Sequence, residues 1–481
     1  MTTVVTTKNA VRELVPVVRE RLADLETPVS AFAKLRPLGG AFLLESVEGG
    51  ERMGRYSFIG VLPRATLVFR DGVASILDDE GVRAVDYTDP LILLRGELGR
   101  YRRTGGSELP RFSGGAVGYV SYEAARRFER LPAASRDVLR LPEAAFSIYD
   151  TVVCFDHVRH SLLVIAHEVE GEREDASSRI ARVFAALDAP ISLPKQGDRV
   201  VRAVTANGTA DEYRARVARA RELITEGDCI QIVVAQRFDV RPAPEPLALY
   251  RALRHVNPSP YMFLIDVAGA ALVGASPEPF VRVENGRVVM YPIAGTRPRG
   301  RDEAEDAAME AELRASEKER AEHVMLVDLA RNDIGRVSRP GTVRVRELMR
   351  VDRFSHVMHL TSVVDGELAP DLDALDAFRA CFPAGTVSGA PKIRAMERIA
   401  ELETDRRGPY AGAVGYLGFD GRMDTCIGIR TAVIADGVCR IQAGAGIVAD
   451  SDTAAEELET RAKARALLRA IEIVDGAEAV R

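Results

Sequence analysis

From Ala210 to the C-terminus the chain alternates amphipathic helical segments with short runs of β-branched and aromatic residues, which restricts it to a mixed helix-and-sheet fold. The run DEYRARVARARELITEG reads as a charged amphipathic helix over Ala210–Glu226, ended by Gly227. Strand-like runs follow, QIVVAQRFDV, YMFLIDV, ALVGA and FVRVENGRVVMYPIAG, and then one long helix from Glu303 to Leu329. The first 200 residues are mixed as well. Val11 to Leu25 carries a helical period, whereas TLVFRDGVASIL and DTVVCFDHVRHSLLVIAHEV read as strands joined by turns. Asp198 to Gly208 reads as a linker, dividing the chain into regions 1–200 and 201–481. The blocks around 210–290 and 373–445 share a helix-plus-strand order, although no identity between them demonstrates a repeat.

Composition excludes several classes. With 47% hydrophobic residues over 481 positions, the chain can bury a large core and is not globally disordered. A net charge of −6 argues against nucleic acid as the main partner but leaves room for a small anionic substrate. The five cysteines, Cys154, Cys229, Cys381, Cys426 and Cys439, form no CxxC pair, as expected of free thiols in a reducing cytoplasm. The start MTTVVTTKNAVREL lacks the pattern of a signal peptide. No run approaches the ~18 apolar residues of a membrane span.

Several residue groups carry chemistry. Glu319 and Glu322 are three apart in a helical stretch and share a face, and Glu456 and Glu459 repeat the spacing with Lys463 one turn on. Such pairs are oxygen donors suited to Mg²⁺, or ordinary solvated helix faces. Thr453 and Glu456 also fit a helix capping box. GTVSGAPK, Gly385 to Lys392, leads through Pro391 toward a helix start whose free N–H groups would suit an anion; a plain tight turn is the other reading. Gly444 and Gly446 in GAGIV let backbone approach a ligand. His359, one of seven histidines, lies on an apolar strand, where a lone histidine is more often a hydrogen-bonded structural residue than a catalyst. Glu278 follows a strand and is flanked by prolines in GASPEPF.

Taken together, YPIAGT (Tyr291 to Thr296), GTVSGAPK, GYLGFDGRMDTCIGIRT (Gly415 to Thr431) and GAGIVADSDTAAEELET (Gly444 to Thr460) resemble the chorismate-utilising enzymes, and among them the large subunits of anthranilate synthase. The resemblance is dense from Asp211 to Ile473 and weaker at AFLLESVEGGERMGRYSFIG, Ala41 to Gly60. It implies an α+β fold with two large antiparallel sheets flanked by helices, in two intertwined domains to which the N-terminal residues both contribute. It further implies Mg²⁺-dependent amination of chorismate by ammonia and then loss of pyruvate to give anthranilate, the first step of tryptophan biosynthesis. A separate glutamine amidotransferase subunit would supply the ammonia, because the resemblance leaves no room for a fused one.

The resemblance assigns roles by position. Glu322 and Glu459 would ligate Mg²⁺, with Glu319 and Glu456 in support through water. Gly295, Thr296, Thr386, Tyr410, Arg430, Gly444, Gly446 and Lys463 would bind substrate, Arg430 as the bidentate partner of a carboxylate. Glu278 would protonate the departing 4-hydroxyl, and His359 would serve the pyruvate-eliminating step. Relatives that add water carry a lysine base where this chain has Gln231, which points to ammonia. The para-aminobenzoate branch carries a lysine nucleophile where this chain has Ala294, so covalent catalysis from that position is excluded, and the two differences together select the anthranilate synthases within the family. Leu44, Glu45, Ser46, Pro260, Tyr261, Met262 and Cys426 match the contacts of the feedback inhibitor L-tryptophan. There Glu45 would pair with its ammonium, while Pro260 and Met262 would pack on the indole. The plainer reading of LLES is a strand end whose leucines face the core. Two alternatives remain: an aminodeoxyisochorismate synthase that stops before pyruvate loss, and a non-catalytic subunit that binds the amidotransferase.

Overall fold

The computed structural model describes residues 11–46, 54–106, 108–132, 136–171, 174–191, 200–353 and 357–476. Residues 1–10 of the start, residues 198 and 199 of the expected linker, and residues 47–53 within Ala41–Gly60 lie outside the described residues.

Two large sheets organise the chain. Among the described residues, the first has 13 strands. It runs Ala203–Ala206, Gln231–Arg241, Val438–Ile447, Thr431–Ala435, Ala270–Ser276, Tyr261–Val267, Phe42–Glu45, Tyr56–Val61, Thr151–Asp156, Ser161–Glu168, Arg12–Leu22 and Tyr101–Arg103, with Gly389–Ala390 paired on Gln231–Arg241. The second runs Ile293–Pro298, Val357–Glu367, Arg287–Met290, Pro279–Glu284, Met423–Ile427, Ala413–Gly418, Gly115–Val120, Ala144–Tyr149, Ala65–Arg70, Val73–Asp78 and Gly81–Asp86, with Arg344–Arg353 paired on Val357–Glu367. Within the two sheets the described strand pairings are antiparallel except Arg12–Leu14 with Tyr101–Arg103. Both sheets therefore draw strands from either side of residue 200.

The sheets face each other across a shared core. Phe42, Phe263 and Val152 of the first meet Tyr119, Tyr149 and Val414 of the second. Phe42 and Tyr149 pack edge-on at 4.9 Å, a geometry aromatic rings favour. Helices cover the outer faces. Pro28–Leu35, Ala176–Asp188, Pro246–Val256 and Thr453–Val474 bury apolar stripes on the first sheet. Ala210–Thr225, Glu317–Gly335, Ala374–Cys381 and Lys392–Leu402 pack in the second helical layer.

Several local expectations are corrected. Arg12–Leu22 is a strand, not a helix. Pro16 would break a helix, and beyond Leu14 the strand is the sheet's edge, where a proline is tolerated. The expected linker contains the strand Ala203–Ala206, paired with Phe238–Arg241. The single helix expected from Glu303 is two, Glu303–Ala315 and Glu317–Gly335. Ser316 leaves helical geometry (ψ 111°), and its hydroxyl accepts the N–H of Glu319, capping the second helix.

Candidate active site

Gln231 opens its strand, and Gly444 and Gly446 lie near the end of the antiparallel neighbour, so the pairing of Val233 with Gly446 sets them side by side. A Cβ on Gly446 would sit 2.8 Å from the Gln231 amide nitrogen, and one on Gly444 2.7 Å from the Tyr410 hydroxyl and 3.0 Å from the Val234 carbonyl, so a side chain at either position would displace these groups. The Gln231 amide donates to Glu322 at 3.2 Å. Glu456, Glu459 and Lys463 share one face of helix Thr453–Val474. Lys463 pairs with Glu459 at 2.6 Å and donates to the Gly444 carbonyl at 2.9 Å.

Negative charge is crowded here. Burial pushes the Glu322 carboxyl above its ordinary value, the Gln231 hydrogen bond opposes that, and neighbouring Glu319 adds to the rise. Glu456 is raised in the same way, by burial first and by Glu459, against a hydrogen bond donated by Ser451 at 2.7 Å. That bond, with Asp452 as the cap of the helix, replaces the expected capping box at Thr453.

Across the site, the Thr386 hydroxyl donates to the Glu278 carboxylate at 2.8 Å. Thr386 lies on a 3₁₀ turn, Gly385–Val387, and the chain then pairs as Gly389–Ala390 before its helix begins. The helix start expected to face the site is thus removed from Thr386. Its first residue, Lys392, is buried against Asp333 at 2.7 Å and the Cys381 carbonyl. Arg430 holds a left-handed backbone (φ +49°) just before the strand Thr431–Ala435. Burial lowers its guanidinium from the ordinary value, opposed by Glu278, Tyr410 and Glu459, yet its side chain makes no hydrogen bond or ion pair to another described residue. A cleft of about 390 Å³ opens beside Glu278 and Thr386, walled by Leu326, Leu329, Tyr291 and Ile427.

The third group sits where the bulged strand Ile293–Pro298 pairs with Val357–Glu367. Gly295 makes the bulge with φ +66°, and a Cβ there would meet Glu319 at 3.0 Å. His359 lies opposite Thr296; its Nδ1 is 2.9 Å from the Gly295 carbonyl and 3.1 Å from the Thr296 hydroxyl. A carbonyl only accepts, so Nδ1 carries the proton and the lone pair of the neutral ring is on Nε2. Arg297 binds Glu319 at 3.1 Å, a partner that the sequence did not single out. Ala294 is buried on the same strand.

A family model for chorismate binding enzyme matches residues 43–469. The chain belongs to the chorismate binding enzyme family.

It is 45% identical over 473 residues to anthranilate synthase component 1 of Acetivibrio thermocellus, covering 95% of each chain. It is 49% identical over 479 residues to the protein of that name in Streptomyces coelicolor, covering 97% of this chain and 90% of the relative. The crystal structure of anthranilate synthase component I from Streptococcus pneumoniae superposes with a TM-score of 0.79 at 40% identity, covering 86% of this chain and 92% of that one. Within the chorismate binding enzymes the chain is therefore of the anthranilate synthase component 1 type, a lyase, with the two-sheet fold that the resemblance implied.

Every position matched to an inhibitor contact lines a second cleft of this chorismate binding enzyme, about 590 Å³ and larger than the one at Glu278. Leu44, Glu45 and Ser46 come from one wall, Pro260, Tyr261 and Met262 from the paired strand, and Cys426 from the second sheet. The expected role of Glu45 is not what its surroundings favour: its carboxylate is buried, accepts the Tyr250 hydroxyl and pairs with Arg254 at 3.3 Å. The sequence reading missed Arg111 and Asp424, which also line this cleft; Asp424 accepts the Tyr261 hydroxyl at 2.8 Å.

Among the described residues, no three His, Cys, Asp or Glu side chains form a metal cage. The two glutamate pairs nonetheless fit Mg²⁺, which takes oxygen ligands, uses one or two carboxylates and keeps waters. No helix of the described residues is long and apolar enough to cross a membrane.

Proposed function

We propose that this chain converts chorismate and ammonia to anthranilate and pyruvate, with 2-amino-2-deoxyisochorismate as intermediate. The observation that carries the reading is Arg430, a desolvated guanidinium that makes no hydrogen bond or ion pair to another described side chain, that feels the charges of Glu278 and Glu459, and that is available to a substrate carboxylate. The component 1 name of its relatives supports a second component, and we assign that role to a glutamine amidotransferase that supplies ammonia.

Glu322 and Glu459, with Glu319 and Glu456 in support, would hold Mg²⁺, which when bound would supply Lewis-acid stabilisation of the substrate's negative charge. Arg430, Lys463, Tyr410 and the backbone at Gly444 and Gly446 orient the substrate. Glu278 delivers a proton to the 4-hydroxyl as it departs, positioned by Thr386. Gln231 donates to Glu322 and offers no base for activating water, which favours ammonia. In the second half-reaction C2 loses its proton and the C3–oxygen bond breaks, aromatising the ring. His359 Nε2 is the acceptor this geometry favours for that proton. L-tryptophan in the cleft at Leu44–Ser46 would inhibit. A cytoplasmic setting fits the buried free cysteines.

The test is incubation of the purified chain with chorismate, Mg²⁺ and ammonium at alkaline pH, followed by anthranilate fluorescence. Anthranilate formation is expected. Accumulation of the amino intermediate alone indicates an aminodeoxyisochorismate synthase, and no turnover indicates a non-catalytic subunit.

A further inference from the structure

We infer that Arg407 is a positioning residue for the reaction proposed above, holding together the segments that carry Thr386, Gln231 and Tyr410; the inference rests on that reading. Arg407 is 2% exposed and touches none of the expected substrate ligands except the Tyr410 ring. Its guanidinium donates to the Val387 carbonyl at 2.7 Å, one residue beyond Thr386. It donates to the Val233 carbonyl at 2.8 Å, two residues beyond Gln231. It is also bidentate on Glu403, at 2.6 and 2.8 Å. Its plane lies over the Tyr410 ring on one contact and the Tyr122 ring on another, 5.6 and 4.6 Å from their centroids.

The surroundings fix the arginine in turn. Glu403 accepts the Ala235 N–H at 2.8 Å, tying the pair to the strand of Gln231. Glu123 accepts the backbone N–H of Arg407 at 2.6 Å and of Gly408 at 2.9 Å. One buried planar cation thus bridges a loop carbonyl, a strand carbonyl and a carboxylate, which the single ammonium of a lysine cannot reproduce. The bond most exposed to its loss is Thr386 to Glu278, since Thr386 precedes the carbonyl that Arg407 holds.

The experiment is a double-mutant cycle of Arg407→Lys with Thr386→Ala, read as kcat and KM in the ammonia-dependent assay. Arg407→Lys is expected to lower kcat by about 10²-fold, as a roughly 1 Å misplacement does, with KM for chorismate little changed. In the Thr386→Ala background the same change should cost no more than about a factor of two, because the bond it disturbs is already absent. A lysine variant of wild-type kcat, or losses that multiply as they would for a smaller folded fraction, overturns the inference. If the lysine variant does not fold, Glu403→Gln, which keeps shape but misdirects the guanidinium, takes its place in the cycle under the same criteria. A wild-type chain that forms no anthranilate overturns the function and this inference together; an active wild type with multiplying losses overturns the inference alone.

Discussion

The backbone N–H of Ile427 donates to the carbonyl of Glu278 at 3.0 Å, while the residue before Ile427, Cys426, lines the second cleft. One strand therefore touches both clefts. Tyr261 and Met262, on the wall of the second cleft, pair in register with Ser276 and Ala275, and Ser276 donates to the Ile427 carbonyl at 2.8 Å. A ligand that shifts Met423–Ile427 by a fraction of an ångström reaches Glu278 through backbone alone.

Tryptophan is expected to inhibit in the micromolar range, typical of a small ligand in a cleft of this kind. Ser46→Phe should fill the cleft and resist inhibition while keeping most activity. Coupling must be reciprocal, so chorismate should weaken tryptophan binding by the same factor. The chain contains no tryptophan, and indole fluorescence therefore reports the ligand alone. Insensitivity to millimolar tryptophan removes the inhibitor assignment.

Glu322→Gln and Glu459→Gln keep side-chain size and remove a ligand charge. Each should lower turnover by more than about 10²-fold with thermal unfolding close to the wild type. Chelation should silence the wild type and added Mg²⁺ restore it. Near-normal turnover in both variants would sink the metal assignment.

His359→Met removes Nε2 and should leave amination in place, so 2-amino-2-deoxyisochorismate should accumulate where the wild type releases anthranilate. Chromatography of the products decides the point. Unchanged anthranilate formation reduces His359 to a strand residue bonded to Gly295.

With Gln231 and Ala294 in place, chorismate and Mg²⁺ without ammonia should give no isochorismate, and with ammonium no para-aminobenzoate precursor. Glutamine should support activity only when a separate amidotransferase subunit is added. Isochorismate as the main product refutes the choice of ammonia.

Burial pushes the Glu123 carboxyl up to about 7, against hydrogen bonds from the backbone of Arg407 and Gly408. A raised carboxyl favours the fold while protonated. Its contribution is full below the unfolded value near 4.3 and is lost as pH climbs through about 7, a change of about 2 to 3 kcal/mol between pH 5 and 8. Urea unfolding of wild type and Glu123→Gln should diverge by that amount over this range. Parallel pH profiles for the two would show that Glu123 ionises without cost to the fold.

The strands of the second half were legible because β-branched runs alternate with turn residues, as in FVRVENGRVVM. Arg12–Leu22 was not, since a few valines and leucines fit a helical period as well as a sheet edge. Glu319 and Glu322 were readable as a pair, but the contact of Glu322 with Gln231 joins residues 91 apart and no local pattern encodes it. The partners Arg297 and Ser451 went unseen because an arginine or serine beside a motif looks like any surface residue. Glu45 was assigned to the inhibitor by its position in the LLES segment; its engagement by Tyr250 and Arg254 depends on how helix Pro246–Val256 packs, which no local pattern encodes.

Arg12–Leu22 and Val438–Ile447 belong to one sheet, and Ala65–Arg70 and Met423–Ile427 to the other. Neither sheet can close during synthesis until the ribosome has delivered residues beyond 420. The early strands must wait with unpaired edges, the state in which chains pair with one another instead of with themselves. Yield from rapid overexpression should thus be governed by how well a host shields the nascent first half, and cutting the chain near residue 200 should give two aggregating pieces.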